Sequence, residues 1–168
     1  MNSVITQHII RFIVLVLVQA LILNNINFLG YINPYIYVLF ILLYPINNNR
    51  LLFLFVSFLL GLSVDLFLDS GGVHAAASVA IAYARPLFLK FSFGMTYEHQ
   101  TVKIGNSEFG QRFTYFLLII IMHHLILFSL EVFSVDKILL ILKKTLFSSI
   151  FTLILCLILT ILFSRRPK

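Results

Sequence analysis

Residues 61–78 read GLSVDLFLDSGGVHAAAS, and their reading decides the fold. A run this apolar still holds two aspartates four residues apart, a glycine pair and a histidine. Asp65 and Asp69 are either the carboxylates of a metal-dependent site or the polar pins of a hairpin between two packed membrane helices. The flanking sequence separates these possibilities. Upstream, Ser57, Gly61, Asp65 and Asp69 recur every four residues and share one helix face. Such a small-polar stripe marks the close approach of a second helix. Downstream, Gly72, Ala76, Ala80 and Ala84 form one line, and His74, Ser78, Ala82 and Arg85 form another. Gly71 and Gly72 allow the tight turn where the two helices meet. So many small residues predict a central helix surrounded by protein.

The composition sets the solvent. The chain has 168 residues, 61% hydrophobic and 11% charged, with a mean hydropathy of +1.05. A soluble domain is about half apolar and about a quarter charged. One small core cannot hide this surplus, so the chain is expected in lipid. Continuous apolar runs of about 17–25 residues are spanning helices. Six are read here, at about 9–26, 28–46, 51–68, 73–91, 113–133 and 144–163. The second is interrupted by Asn33 and Pro34, ended by Pro45, and too short to cross without residues 28–33. Lys143 and Lys144 suggest that the sixth span begins after them. Barrel strands would alternate and be about half as long. The expected fold is therefore an all-α integral membrane protein of six transmembrane helices, a single domain over residues 1–168.

Basic residues give the orientation. With six spans and the N-terminus inside, nine Lys and Arg face the cytoplasm and three (Lys137, Lys143 and Lys144) face outside. This distribution favours both termini in the cytoplasm. Five spans, omitting the second, split eight to four with the N-terminus outside. The net charge of +6 flanks apolar segments and forms no patch, which argues for anchoring rather than nucleic-acid binding. Arg11 is the only early cation and no small-residue cleavage site follows the first run, so that segment is expected to be retained. Residues 92–112 form the largest cytoplasmic loop, read as a solvated connector and too small for a catalytic domain.

The candidate chemistry is thin. Burying the Asp65 charge costs about 2.5–3.5 kcal/mol on the lenient insertion scale. It therefore needs a partner, either the amides that start the fourth helix or His74. Asp69 is read as a cap of that helix. A magnesium site for a lipid diphosphate could use both aspartates. Such a site needs further acids or phosphate-binding cations, and the chain has six acids in all. On the fifth span, IIIMHHLILFSLEVF places His123 and His124 near mid-membrane, with Glu131 seven residues after His124. Neither histidine has a ligand at i+3 or i+4, so zinc is not expected. Neutral histidines hydrogen-bonded to neighbouring helices are the expected state, rather than a proton relay. No nucleophile elbow or phosphate loop occurs, and Cys156 lies in an apolar run as a packing residue. No enzyme, cofactor or metal is expected.

The stretch GLSVDLFLDSGGVHAAASVAIAYARP resembles the pattern of the rod-shape-determining MreD family: Gly, then Asp, a Gly-containing turn, and an Ala-rich helix ending near Arg. HHLILFSLE resembles the fifth span of some members, and the resemblance covers essentially the whole length. The positions carried over are Gly61, Asp65, Gly72, His74, Ala75 and Arg85. The loop at 92–112 departs from the shorter connector of many members. The resemblance implies a non-enzymatic component of the bacterial inner-membrane elongation machinery, controlling cell shape by scaffolding lateral peptidoglycan synthesis. It implies partners such as an MreC-like periplasmic protein, the MreB filament, the RodA glycosyltransferase and a class B penicillin-binding transpeptidase. It also implies a fold similar to the substrate-binding subunits of energy-coupling-factor transporters, which does not itself establish ligand binding. The competing readings are a small-solute-binding subunit of a transporter, with an outward polar cavity, and a lipid-diphosphate enzyme needing both aspartates.

Overall fold

The structure is a computed structural model that describes residues 2–26, 32–46, 49–94 and 104–163. Among the described residues six α-helices form, joined by short 3-10 turns: α1 (Asn2–Leu21), α2 (Val38–Leu42), α3 (Arg50–Leu68), α4 (Val73–Phe93), α5 (Phe109–Val132) and α6 (Ile138–Phe163). Among the described residues no strand forms. Helices α3 to α6 pack in sequence order, each against the next, and α1 lies on α3. The region of α1 together with α3, α5 and α6 is long and apolar enough to cross a membrane. Their outward residues are apolar, for example Ile13, Phe55, Leu66, Leu125 and Ile154. A surface of this kind is covered by lipid. Helix α4 is as long as its neighbours but less apolar, because its inner face carries His74, Ser78 and Arg85.

The second expected span, interrupted in sequence at Asn33 and Pro34, is not among the four long apolar helices: residues 32–46 hold only the five-residue α2, and residues 28–31 lie outside the described residues. Five residues rise about 7.5 Å, a quarter of the roughly 30 Å of hydrocarbon. Pro34 has no amide hydrogen to give a helix, and Pro45 disfavours helical backbone at Tyr44. The segment is nonetheless deeply buried: Tyr37, Val38, Ile41 and Leu42 are fully enclosed. Helix α2 touches α1, α4 and α5. Irregular backbone at membrane depth survives only inside protein or against a water-filled cavity, and here the surrounding helices enclose it.

Two other boundaries moved. Helix α6 starts at Ile138, so Lys143 and Lys144 lie within it. The ammonium of Lys144 reaches back 2.8 Å to Glu131 on α5, which makes the early helical turns tolerable. Helix α5 begins at Phe109, inside the expected loop of 92–112. Of that loop, residues 95–103 lie outside the described residues.

Candidate functional site

The hairpin between α3 and α4 is built by one carboxylate. The Asp65 backbone carbonyl accepts from the amides of Asp69 and Ser70, which closes the end of α3. Its side chain then opens α4. Oδ1 accepts from the His74 amide at 3.0 Å, and Oδ2 accepts from the Ala75 amide at 2.8 Å. Oδ1 also accepts from the Ser70 hydroxyl at 2.6 Å and from His74 Nδ1 at 2.9 Å. Free amides at a helix start carry partial positive charge, so this is where a buried anion is stabilised. Both partners anticipated for Asp65 are used at once. The cap is not Asp69, as the sequence suggested. That residue is exposed and ends α3 in the left-handed region at φ 51°, a conformation aspartate tolerates. Gly71 at φ 68° and Gly72 at φ 94° complete the reversal.

Gly61 sets how closely the two helices approach. A Cβ there would lie 2.6 Å from the Ala75 nitrogen and would also meet the His74 carbonyl. Both are backbone atoms and neither can move aside. Ser57, Gly61 and Asp65 are buried, as a shared helix face requires. On α4 the line His74, Ser78, Ala82 and Arg85 is buried, whereas Ala76 is exposed. Helix α4 is therefore enclosed on one face only. The other face opens onto an apolar groove against Leu54, Phe58 and Leu62 of α3.

A second charge caps the broken segment. Arg85, 3% exposed, donates from Nε to the Tyr115 hydroxyl at 2.8 Å. Its terminal nitrogen donates to the carbonyls of Leu42 and Tyr44, and the Tyr115 hydroxyl donates to Leu42 at 3.2 Å. The guanidinium lies over the Phe53 ring, 5.0 Å from its centroid. These carbonyls lie at and just beyond the end of α2, where no helical donor follows. Among the described residues Arg85 has no carboxylate partner; its charge is matched by carbonyl dipoles and an aromatic face. At the other end of the segment, Gln19 of α1 donates to the Pro34 carbonyl at 3.1 Å. There too the Tyr35 amide donates to Thr152 of α6 at 2.9 Å. Four long helices thus supply the hydrogen bonds that the segment cannot make for itself.

The histidine pair has similar work. Nε2 of His123 lies 2.7 Å from the Tyr37 hydroxyl, and His124 bridges the Ile120 carbonyl and Thr152. Both rings are fully buried. Glu131 does not join them; it faces outward to Lys144. Asp65 and Asp69 do not converge either, one being enclosed and the other exposed. Among the described residues no three His, Cys, Asp or Glu come together as a metal site.

No family model, curated protein or solved structure matches this chain. The geometry alone therefore describes the site: two intramembrane charges, each capping a helix end inside the protein. Sequence reasoning missed Gln19, Tyr35, Tyr37, Tyr115 and Thr152. The first and last are single polar residues in apolar runs, with no spacing signal. The tyrosines at 35 and 37 could have been suspected, because NPYIYVLFILLYP places two prolines in a buried segment whose backbone must find partners.

Proposed function

We propose that the protein is a non-enzymatic, six-pass scaffold of the bacterial cytoplasmic membrane, working in lateral wall synthesis as MreD-like proteins do. One observation carries this reading. Gly61, Asp65, Gly72, His74, Ala75 and Arg85, on which the resemblance rests, all serve to hold backbone. Gly61 admits the α4 backbone, Gly72 turns the chain into it, Asp65 fixes His74 and Ala75, and Arg85 closes α2. A set of residues devoted to positioning helices suits a protein whose product is a rigid surface for partners.

In this reading residues 28–46 are the second pass, whose described part, 32–46, is a broken, protein-enclosed segment. Contacts at its two ends support it: Tyr35 meets His74 near the α3–α4 turn, whereas Tyr44 stacks on Phe53 near the start of α3. Six passes place nine basic residues on the cytoplasmic side and three outside. The partners are an MreC-like periplasmic protein, with the MreB filament, RodA and a class B transpeptidase as further members.

The test is co-purification of the tagged chain from its native membranes in mild detergent, with partners identified by mass spectrometry. Recovery of an MreC-like protein and wall synthases, reduced by Gly61→Val, is the expected result. Recovery of an ATPase pair and a coupling membrane subunit would instead make the chain a transporter component and overturn the scaffold reading.

A further inference from the structure

At the turn end of α3 and α4 the helices leave a partly enclosed crevice of roughly 380 Å³. That volume lies within the range of small-molecule sites, about 300–1,000 Å³. Residues of several elements line it: Asn24 after α1, Tyr35 of the broken segment, Ser70 and His74 of the hairpin, and Glu131 of α5.

The hydrogen-bond chain fixes what two of these groups offer. The Pro34 carbonyl can only accept, so the Gln19 atom facing it is the amide nitrogen. The same nitrogen donates to Asn24 at 2.8 Å, which makes that atom Oδ1. The Asn24 Nδ2 that remains is a buried donor with no partner among the described residues. On the facing hairpin the Asp65 carboxylate can only accept, so His74 Nδ1 carries the proton between them. His74 is 4% exposed, and its Nε2 is left as a buried acceptor, also with no partner among the described residues. Buried polar atoms are normally satisfied, and here the residues that carry an unmatched donor and an unmatched acceptor, Asn24 and His74, line one crevice. The remaining lining is the polar Asn33 and the apolar Leu68, Val73 and Leu130. The one carboxylate at the rim, Glu131, is neutralised by Lys144.

We propose that this crevice binds a small neutral molecule carrying an amide-type edge, a carbonyl beside an N–H. The carbonyl accepts from Asn24, the N–H donates to His74 Nε2, and the flat apolar body lies between Tyr35 and the aliphatic side chains. A charged ligand is disfavoured because no unpaired charge lines the crevice. The inference is independent of the scaffold reading, since it concerns a pocket and not a partner surface.

The test uses the full chain in detergent and saturation-transfer NMR. Nicotinamide and uracil serve as neutral amide-edged probes, with benzoate as a charged ring of similar size. Saturable binding of at least one amide probe, without benzoate binding, is expected. Asn24→Leu, which leaves Gln19 on Pro34, removes one buried hydrogen bond and should weaken binding about tenfold. Leu130→Trp, at a partly exposed position, fills the crevice and should abolish the signal. The melting temperature of each variant without probe reports whether it is folded. Failure of both amide probes to bind overturns the proposal. So does equal binding of benzoate, or binding unchanged in both folded variants. A negative result here leaves the co-purification outcome untouched, so the two readings fail separately.

Discussion

Replacing Asp65 with asparagine keeps the shape of the side chain and removes its charge. In the native protein its two oxygens receive four hydrogen bonds, from Ser70, the His74 amide, His74 Nδ1 and the Ala75 amide. An asparagine has one oxygen to offer. If it keeps the three donors on Oδ1, its NH2 faces the Ala75 amide; if it turns, its NH2 faces the other three. Either way a buried donor meets a donor, at a residue 4% exposed. Leaving a buried donor unsatisfied costs about 1–3 kcal/mol, more at a charged group, and a lost helix cap alone costs about 0.5–2 kcal/mol. Asp65→Asn should therefore destabilise the protein by about 2–5 kcal/mol. Asp69→Asn is the matched control. Asparagine also tolerates the left-handed conformation, and the side chain is exposed, so the change should stay within about 0.5 kcal/mol. The assay is reversible unfolding of both variants by SDS titration in mixed micelles. Equal losses for the two, or wild-type stability for Asp65→Asn, would refute the assignment of Asp65 as the cap that joins the helices.

Gly61→Ala should cost about 1–3 kcal/mol in the same titration, because the new methyl group must push α4 backbone away. Gly110→Ala has open space around it and should be neutral or stabilising by up to about 1 kcal/mol. Arg85→Lys keeps the charge but loses the planar fork that serves Tyr115 and two carbonyls, so a loss of about 1–3 kcal/mol is expected from thermal unfolding. Glu131→Gln breaks a partly exposed ion pair and should cost no more than about 1 kcal/mol, with the effect shrinking in high salt.

The helices that face lipid were legible because lipid contact is a matter of composition: any run of about 20 apolar residues satisfies it. The α3–α4 hairpin was legible too, since Gly61, Asp65 and the glycine pair repeat at helical spacing or break it. Which aspartate caps α4 was not. Asp69 is nearer in sequence, but in the left-handed turn its side chain is exposed, whereas Asp65 one turn earlier lies under the new helix. Sequence distance and spatial distance diverge at a reversal of this kind. The histidines showed the same limit, because His123 finds Tyr37 eighty-six residues away.

By itself the sequence determined that this chain lives in a membrane, is built from helices, and turns tightly at residues 69–72. Each of these follows from local physics: apolar length, backbone self-satisfaction and glycine's freedom. Only the tertiary structure decided that residues 32–46 are a broken segment inside the protein and that the buried charges serve helix ends. The orphan backbone groups of Pro34, Tyr35, Leu42 and Tyr44 are met by Gln19, Thr152, Arg85 and Tyr115 on four different helices. A need that arises in one segment and is filled from four others leaves no pattern in the sequence of any one of them.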